Sequence, residues 1–380
     1  MMIWKSEGRR ALDGPDDESI RTESSIAVTT HSSMFPDQLV ANELDADTAL
    51  RIDAIFAEWA RADSPGVALR IYQHGRVVYS RGYGMSNLEH GIPIVPNSIF
   101  HIASISKQFA GIAIALLADE GKLGVDDDIR TWLPEVPEFG GTTITVRHLM
   151  LHTSGLRDQS SLLEFAGWRE EDLVADGDVL DMVSRQRELN FSPGERFLYS
   201  NTGYTLMSLI VQRLSGQTLR QFCEERIFGP RGMTRTHFQG DHCEIVPGRT
   251  QAYLRREGGG YKISIPEFDV AGATSLFSTV EDVFHWNEQF STDRVTSKAV
   301  LEDFQRSGTT NDGKDIDYGW GIATNVYRGI TLVGHSGADH GYRAKYQRAP
   351  AHGFGVAIFA NYAAISPSTL ARSVIDVMLA

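Results

Sequence analysis

The chain has 380 residues, 42% of them apolar, and carries 49 Asp and Glu against 36 Lys and Arg, a net charge of −13. That length accommodates one large domain or two intertwined ones, and the acidity argues against nucleic acid or an anionic membrane surface as partner, since both select basic patches. Two cysteines, Cys223 and Cys243, are too few for a disulfide framework and suit a reducing compartment.

Residues 1–45 are rich in charge, Ser and Thr and poor in apolar groups, which predicts a disordered arm. The opening MMIWKSEGRR lacks the apolar core of a secretory signal, so a cytoplasmic location is expected. Beyond Asp45, Leu50, Ile52, Ile55, Phe56 and Trp59 form a helical stripe that ends before Ser64-Pro65-Gly66. Val67–Gln73 and Arg76–Tyr83 read as a hairpin turning at His74-Gly75. The next stretch, FHIASISKQFAGIAIALLADEGK, has no polar side chain from Phe109 to Ala118. A helix that is apolar all round is buried in a large domain, and this run is too short for a bilayer, which needs ~20 residues. Gly121 stands where a left-handed cap is expected.

From residue 126 to 264 the pattern changes to short helices and polar connections. Thr145 caps a helix over Val146–Leu151 that runs into His152-Thr153-Ser154-Gly155-Leu156. Ser192-Pro193-Gly194 turns the chain towards Tyr199-Ser200-Asn201. A helix with Leu206, Leu209, Ile210 and Leu214 on one face follows and stops at Ser215-Gly216. Ser278-x-x-Glu281 reads as a capping box opening Val280–Phe290. The C-terminal part is a meander of Gly319–Tyr327, Thr331–Gly334, Gly341–Arg348 and Phe354–Asn361, closed by a helix over Ser368–Leu379. Strands near both ends with helices between them predict an α/β (α+β) fold, an antiparallel sheet flanked by helices. Residues 46–125 and 265–380 would form the α/β domain and 126–264 an inserted, mostly helical one. The buried helix would open its N-terminus at their boundary, where ligand clefts form.

Ser104, Ser106, Lys107 and Gln108 crowd into the first turn of that helix. A cation there opposes the backbone dipole, and burial also favours the neutral amine, which moves Lys107 towards the range of a useful base. Ser104 and Lys107, three apart, share a helical face, while Ser106 points elsewhere. The pair reads as a serine nucleophile with an amine base, or as a capping serine and a solvated lysine. Tyr199 and Asn201 offer a phenol and an amide to a cleft, or form a plain turn. In His335-Ser336-Gly337, placed at a strand end, the glycine admits close approach of a substrate backbone and the histidine titrates near neutrality. Gly334-His335-Ser336-Gly337 begins like a Gly-x-Ser-x-Gly elbow, but position 338 is Ala and a strand follows, so Ser336 is rejected as nucleophile. Ser154 is read as part of a helix C-terminal turn. His237, His242 and Cys243 lack paired ligand spacing and are read as scattered polar residues, with no metal site predicted.

Ser104-x-x-Lys107, Tyr199-x-Asn201 and His335-x-Gly337, with the segments SIFHIASISKQF, GKLGVDDDIRTWLPE, ITVRHLMLHTSGL, FSPGERFLYSN and VGHSGADHGYR, resemble the serine hydrolases of the class C β-lactamase and penicillin-binding protein family. The resemblance covers about residues 48–380 and implies a β-lactamase/transpeptidase-like fold. It implies that Ser104 forms an acyl-enzyme from an ester or amide. Lys107 and Tyr199 would act as one coupled proton relay, with the base left unassigned between them. The oxyanion would sit between the backbone N–H groups of Ser104 and Ala338. Asn201 would orient the acyl side, with Gly337 beside the substrate, and His335 would polarise Tyr199 or touch the substrate's end. No metal or organic cofactor is implied. The family's penicillin-recognising members carry lysine where this chain has His335. A neutral imidazole gives a carboxylate only a hydrogen bond, which points to esters or D-amino-acid-type amides as substrates. Arg343 or Lys345 on the next strand would be the replacement cation. A β-lactamase, a D-Ala-D-Ala carboxypeptidase or an acyltransferase are the alternatives, and the expected partner is a small molecule or short peptide.

Overall fold

The computed structural model describes residues 38–169, 172–291 and 295–379. The predicted arm lies outside the described residues as far as residue 37. Its remainder is not all arm, because Leu39–Asn42 forms a short edge strand, β1. Four residues beside polar neighbours carry no readable period, and it is pairing with Arg76–Tyr83 that orders them.

The main sheet has seven strands: β1, β2 (Val67–Gln73), β3 (Arg76–Tyr83), β4 (Ala323–Tyr327), β5 (Ile330–Asp339), β6 (Tyr342–Ala349) and β7 (Phe354–Ala360). Their order is β1-β3-β2-β7-β6-β5-β4, with every neighbour antiparallel. The β2–β3 hairpin turns at His74 and Gly75 and the β4–β5 hairpin at Arg328 and Gly329, all four with positive φ, the conformation whose twist matches the flanking strands.

Alternation along the strands sends side chains into two separate cores. Val67, Leu69, Ile71, Val356 and Ile358 pack with helix α1 (Ala46–Phe56) and the C-terminal helix (Pro367–Met378). Ala68, Tyr72, Ala344, Tyr346 and Phe359 face the other way, onto α2 (Ser106–Asp119). Every α2 residue from Ser106 to Leu117 is buried, as an all-apolar helix requires. Helix α3 (Val146–Met150), capped by Thr145, packs against α5 (Asn201–Ser215), which ends at left-handed Gly216 and in turn meets the far side of α2. A further short helix, α4 (Gln159–Phe165), lies between those two in sequence.

The helix α6 (Val280–Glu288) starts one residue later than the sequence reading of its cap. Thr279, not Ser278, accepts from Asp282 N. Ser278 is buried in a strand and shares a hydrogen bond with Thr236 at 2.8 Å, and Glu281 reaches Arg70 at 3.3 Å rather than closing a box. His335 also lies inside β5 rather than at a strand end, because β5 runs on to Asp339.

One glycine shows how closely α2 is held. A Cβ on Gly111 would stand 2.3 Å from the carbonyl oxygen of Trp320. Alanine is normally favoured over glycine inside a helix by ~1 kcal/mol, whereas overpacking costs ~1–3 kcal/mol. Gly111→Ala is therefore expected to lower the urea midpoint. An equal or higher midpoint would show that the Trp320 loop yields.

Candidate active site

Ser104 lies in a single 3₁₀ turn, Ala103–Ile105, that leads into α2. Ala103 holds φ at +49°, a left-handed conformation that costs energy for a residue with a Cβ. Two contacts hold it there. The Ser106 hydroxyl donates to the Ala103 carbonyl and accepts from Leu276 N at 3.3 Å. Gly337 comes so close that a Cβ would sit 2.1 Å from the Ile102 carbonyl oxygen. Glycine at 337 thus admits the protein's own backbone, where the sequence reading had it admit a substrate's. The β4–β5 ladder ends at Ala323 and Gly334, so past that point the Ser104 turn takes the place of a strand beside β5.

Lys107 is fully buried. Its Nζ lies 3.1 Å from Ser104 Oγ, 2.8 Å from Asn201 Oδ1 and 2.7 Å from the Ala273 carbonyl oxygen. Burial pulls its pKa down to about 7, with Asp158 and Asp339 opposing. The faces of Tyr199 and Tyr204, 4.9 and 5.5 Å from Nζ, also favour the cation. Desolvation nevertheless outweighs them.

Burial holds the Tyr199 phenol well above its usual range, against the opposing pull of the nearby Ser104 hydroxyl, so it stays protonated. Asn201 is the first residue of α5, whose preceding Ser200 makes no side-chain cap. The Asp158 carboxylate does that work from a distance, accepting Asn201 N at 2.6 Å. Asp158 also caps α4.

His335 is buried, and its ring centroid lies 6.2 Å from that of Tyr199. Its hydrogen-bond partner is Tyr318, 3.0 Å from Nε2. Nδ1 lies 2.6 Å from the Ser336 carbonyl, which only accepts, so Nδ1 carries the proton and Tyr318 O–H donates to Nε2. Burial and Lys107 lower its pKa to about 3, so the ring is neutral. Ser336 is exposed on the other face of β5. Arg343 and Lys345 pair with Ala338 and Ser336, on that same face of the sheet, and their charges reach Asp339 and His335 only through space.

His152, Tyr318, Asp158 and Asp339 escaped the sequence reading as parts of the site. The His152 ring stacks among Tyr199, Tyr204 and Tyr318 and accepts Ser200 N at Nδ1, 3.1 Å away. It thereby fixes the loop that carries Tyr199. A signal existed for it, since His152-Thr153-Ser154-Gly155 lies in one of the family-like segments. Ser154 is buried and accepts Leu156 N, as a turn residue does. The His242 ring contacts Asp269 at 3.3 Å and Cys243 Sγ at 3.2 Å, with Asp241 alongside. His237 stands apart in a strand, stacked on Phe277.

Ser104, Asn201, Ala273, Thr274, Ala338 and Asp339 open onto one cavity of about 550 Å³, which places the serine within reach of a ligand.

A family model described as Beta-lactamase matches residues 51–374, and the chain belongs to that family. Penicillin-binding protein 4* of Bacillus subtilis is 31% identical over 284 residues, 70% of this chain and 62% of that one. The D-aminopeptidase of Gluconobacter oxydans is 27% identical over 310 residues, 81% of this chain and 58% of the other. The chain therefore spans less than two thirds of either relative. The octameric penicillin-binding protein homologue from Pyrococcus abyssi superposes with a TM-score of 0.76 at 26% identity, over 88% of this chain and 77% of that one. The antiparallel sheet flanked by helices is thus this family's fold. Among the described residues no helix is long and apolar enough to cross a membrane.

The Tyr318–His335 bond gives a test of what holds the site's floor. Tyr318→Phe leaves a buried ring nitrogen without its donor, which costs ~1–3 kcal/mol. Thermal unfolding is expected to occur at lower temperature. An unchanged melting temperature would show that the bond contributes nothing to the fold.

Proposed function

We propose that the chain is a serine hydrolase that cleaves esters or amides through an acyl-enzyme on Ser104. The observation that carries this reading is the bonding of Lys107. Two of its three neighbours, the Asn201 and Ala273 oxygens, accept hydrogen bonds only, so both take N–H protons. A neutral amine then has one lone pair left, and it faces the third neighbour, the Ser104 hydroxyl. Lys107 is the general base in this arrangement, a choice the sequence left open between it and Tyr199. Tyr199, held protonated, is the proton donor to the leaving group.

The sequence of events follows from those roles. Ser104 Oγ attacks the carbonyl carbon as its proton passes to Lys107. The carbonyl oxygen takes the negative charge between the N–H groups of Ser104 and Ala338. The C–O or C–N bond to the leaving group breaks as that group accepts a proton through Tyr199, which Lys107 replenishes. Water repeats the cycle in reverse and frees the acid. Loss of one oxyanion donor typically costs about 10²–10³ in rate.

Neutral His335, with Arg343 and Lys345 on the other face of the sheet, leaves the third motif without a positive charge. Esters, and amides without a free carboxylate, therefore fit better than penicillins. The names of the relatives, a D-aminopeptidase and a penicillin-binding protein, support acyl-transfer chemistry of this kind.

Three measurements test the reading. Ser104→Ala is expected to abolish turnover, and a fluorophosphonate adduct is expected on Ser104; an adduct on Ser336 would overturn the assignment. With p-nitrophenyl butyrate, kcat/KM is expected to rise with pH through about 7 and level off above, because the neutral form of Lys107 is the active one. Below that pH it falls about tenfold per unit, and His335, already neutral, adds no step near 6.5. A profile flat from pH 5 to 8 would remove Lys107 as base. Finally, p-nitrophenyl butyrate is expected to exceed nitrocefin and benzylpenicillin in kcat/KM, and a tenfold preference for the β-lactams would make the chain a β-lactamase.

A further inference from the structure

The cavity that holds Ser104 has a chemically mixed wall. Its lining includes the apolar cluster of Leu163, Trp168, Val174 and Val270. It also includes Asp339, directly after Ala338, on the same side of β5 as His335 and Gly337. Its side chain is only 14% exposed. Oδ2 accepts from Thr274 at 2.7 Å and Oδ1 from His340 Nδ1 at 2.9 Å. Among the described residues, no lysine or arginine lies within hydrogen-bond reach of it.

Its nearest other basic neighbour does not supply a charge. His101 Nε2 is 4.0 Å away, but that nitrogen accepts Ser275 N at 3.1 Å, so its lone pair is engaged and it holds no proton to give. Burial keeps His101 neutral. Arg343 donates to the carbonyls of His340 and Tyr342 and acts on Asp339 only through space, and Arg169, also in the cavity lining, pairs with Asp172 at 2.8 Å. Burial opposes the ionisation of Asp339, yet the bonds from the His340 ring, its one close basic partner among the described residues, and from Thr274 hold its pKa below the usual carboxylate value. A largely buried carboxylate in the wall of a substrate cavity is stabilised by a cation that arrives with the ligand.

We infer that Asp339 is a specificity residue that pairs with a protonated amine on the acyl side of the substrate. This rests on the hydrolase reading above and narrows it to α-aminoacyl esters and amides. A carbonyl oxygen seated at Ala338 N–H brings the substituents of its α-carbon beside the next residue, Asp339. The apolar part of the cavity lining then receives the amino acid side chain.

The test is a matched set of three p-nitrophenyl esters, of D-phenylalanine, of L-phenylalanine and of 3-phenylpropionic acid, in which each amino ester pairs with the third and differs from it only in the amine. Wild type is expected to favour one of the amino esters by tenfold or more in kcat/KM, as a charge-assisted pair contributes ~1.5–3 kcal/mol. That preference should fade as pH rises past the amine's own pKa, ~7.7 for an α-amino group. Because Lys107 serves both esters, the ratio cancels its titration. Asp339→Asn is expected to bring the ratio of amino ester to 3-phenylpropionate within threefold of unity, and Asp339→Glu to restore part of the preference. Equal turnover within each pair by wild type, or equal loss within each pair in Asp339→Asn, overturns the inference while the hydrolase stands. If wild type hydrolyses none of the esters and Ser104 takes no fluorophosphonate, the parent reading fails as well.

Discussion

An amine buried without a bound carboxylate is the constraint around which the rest of this structure is arranged. Lys107 has no exposed surface, and Asp158 and Asp339 act on it only through space. The charged form of such a group is costly, and the neutral form needs two acceptors to satisfy its N–H bonds. Asn201 and Ala273 supply them from widely separated parts of the chain. Were Lys107 moved to the surface, it would be an ordinary cation and a poor base at neutral pH. The apolar length of α2 thus has a chemical consequence as well as a packing one. It anchors the helix so deep that its first turn cannot be solvated.

The second constraint is geometric. A serine nucleophile must stand clear of its helix while remaining fixed, and the position of Ser104, in a strained turn before α2 rather than within it, meets that need in the proposed reading. The strain at Ala103 persists because neighbours over-determine it: Ser106 from the helix, Leu276 from a distant strand and Gly337 from β5. Strand β4 ends early, and that termination frees the edge of β5 for the turn. Sheet topology and nucleophile geometry are one arrangement here.

Much of this was legible in the amino-acid order. The β2–β3 hairpin falls where the His74-Gly75 turn and the apolar runs predict, and the α2 burial follows from ten residues without a polar side chain. Ser104, Lys107, Tyr199 and Asn201 come together as the family resemblance carried by their two motifs implies. Legibility ends where a role depends on contact between distant segments. Nothing in the spacing of Tyr318 and His335 foretells their hydrogen bond, because it depends on how the loop before β4 folds back. Asp158 acts by capping a helix that starts 43 residues later, and helix-cap rules look only at adjacent residues. Ser278 and Thr279 offered equivalent hydroxyls for one cap, and only the strand that buries Ser278 decides between them.

The two histidines of the site show how the same side chain is set to opposite ends by its partners. His152 accepts a backbone N–H at Nδ1, so its proton is on Nε2. His335 faces a carbonyl at Nδ1 and a phenol at Nε2, so its proton is on Nδ1. Both lie near Lys107, and each is pushed towards the neutral form partly by it. Mutual repulsion among three buried basic groups means that charging any one of them opposes charging the others. In the proposed mechanism, a protonated Lys107 formed when Ser104 gives up its proton would therefore pass that proton on. Tyr199, whose ring lies 4.9 Å from Nζ, is the neighbour to which that mechanism assigns it. Replacing a permanent cation by His335 at the third motif keeps that repulsion in play without adding a fixed charge to the pocket. It leaves the Asp339 carboxylate as the ionised group beside the proposed oxyanion site, so the field there favours a substrate that brings its own positive charge.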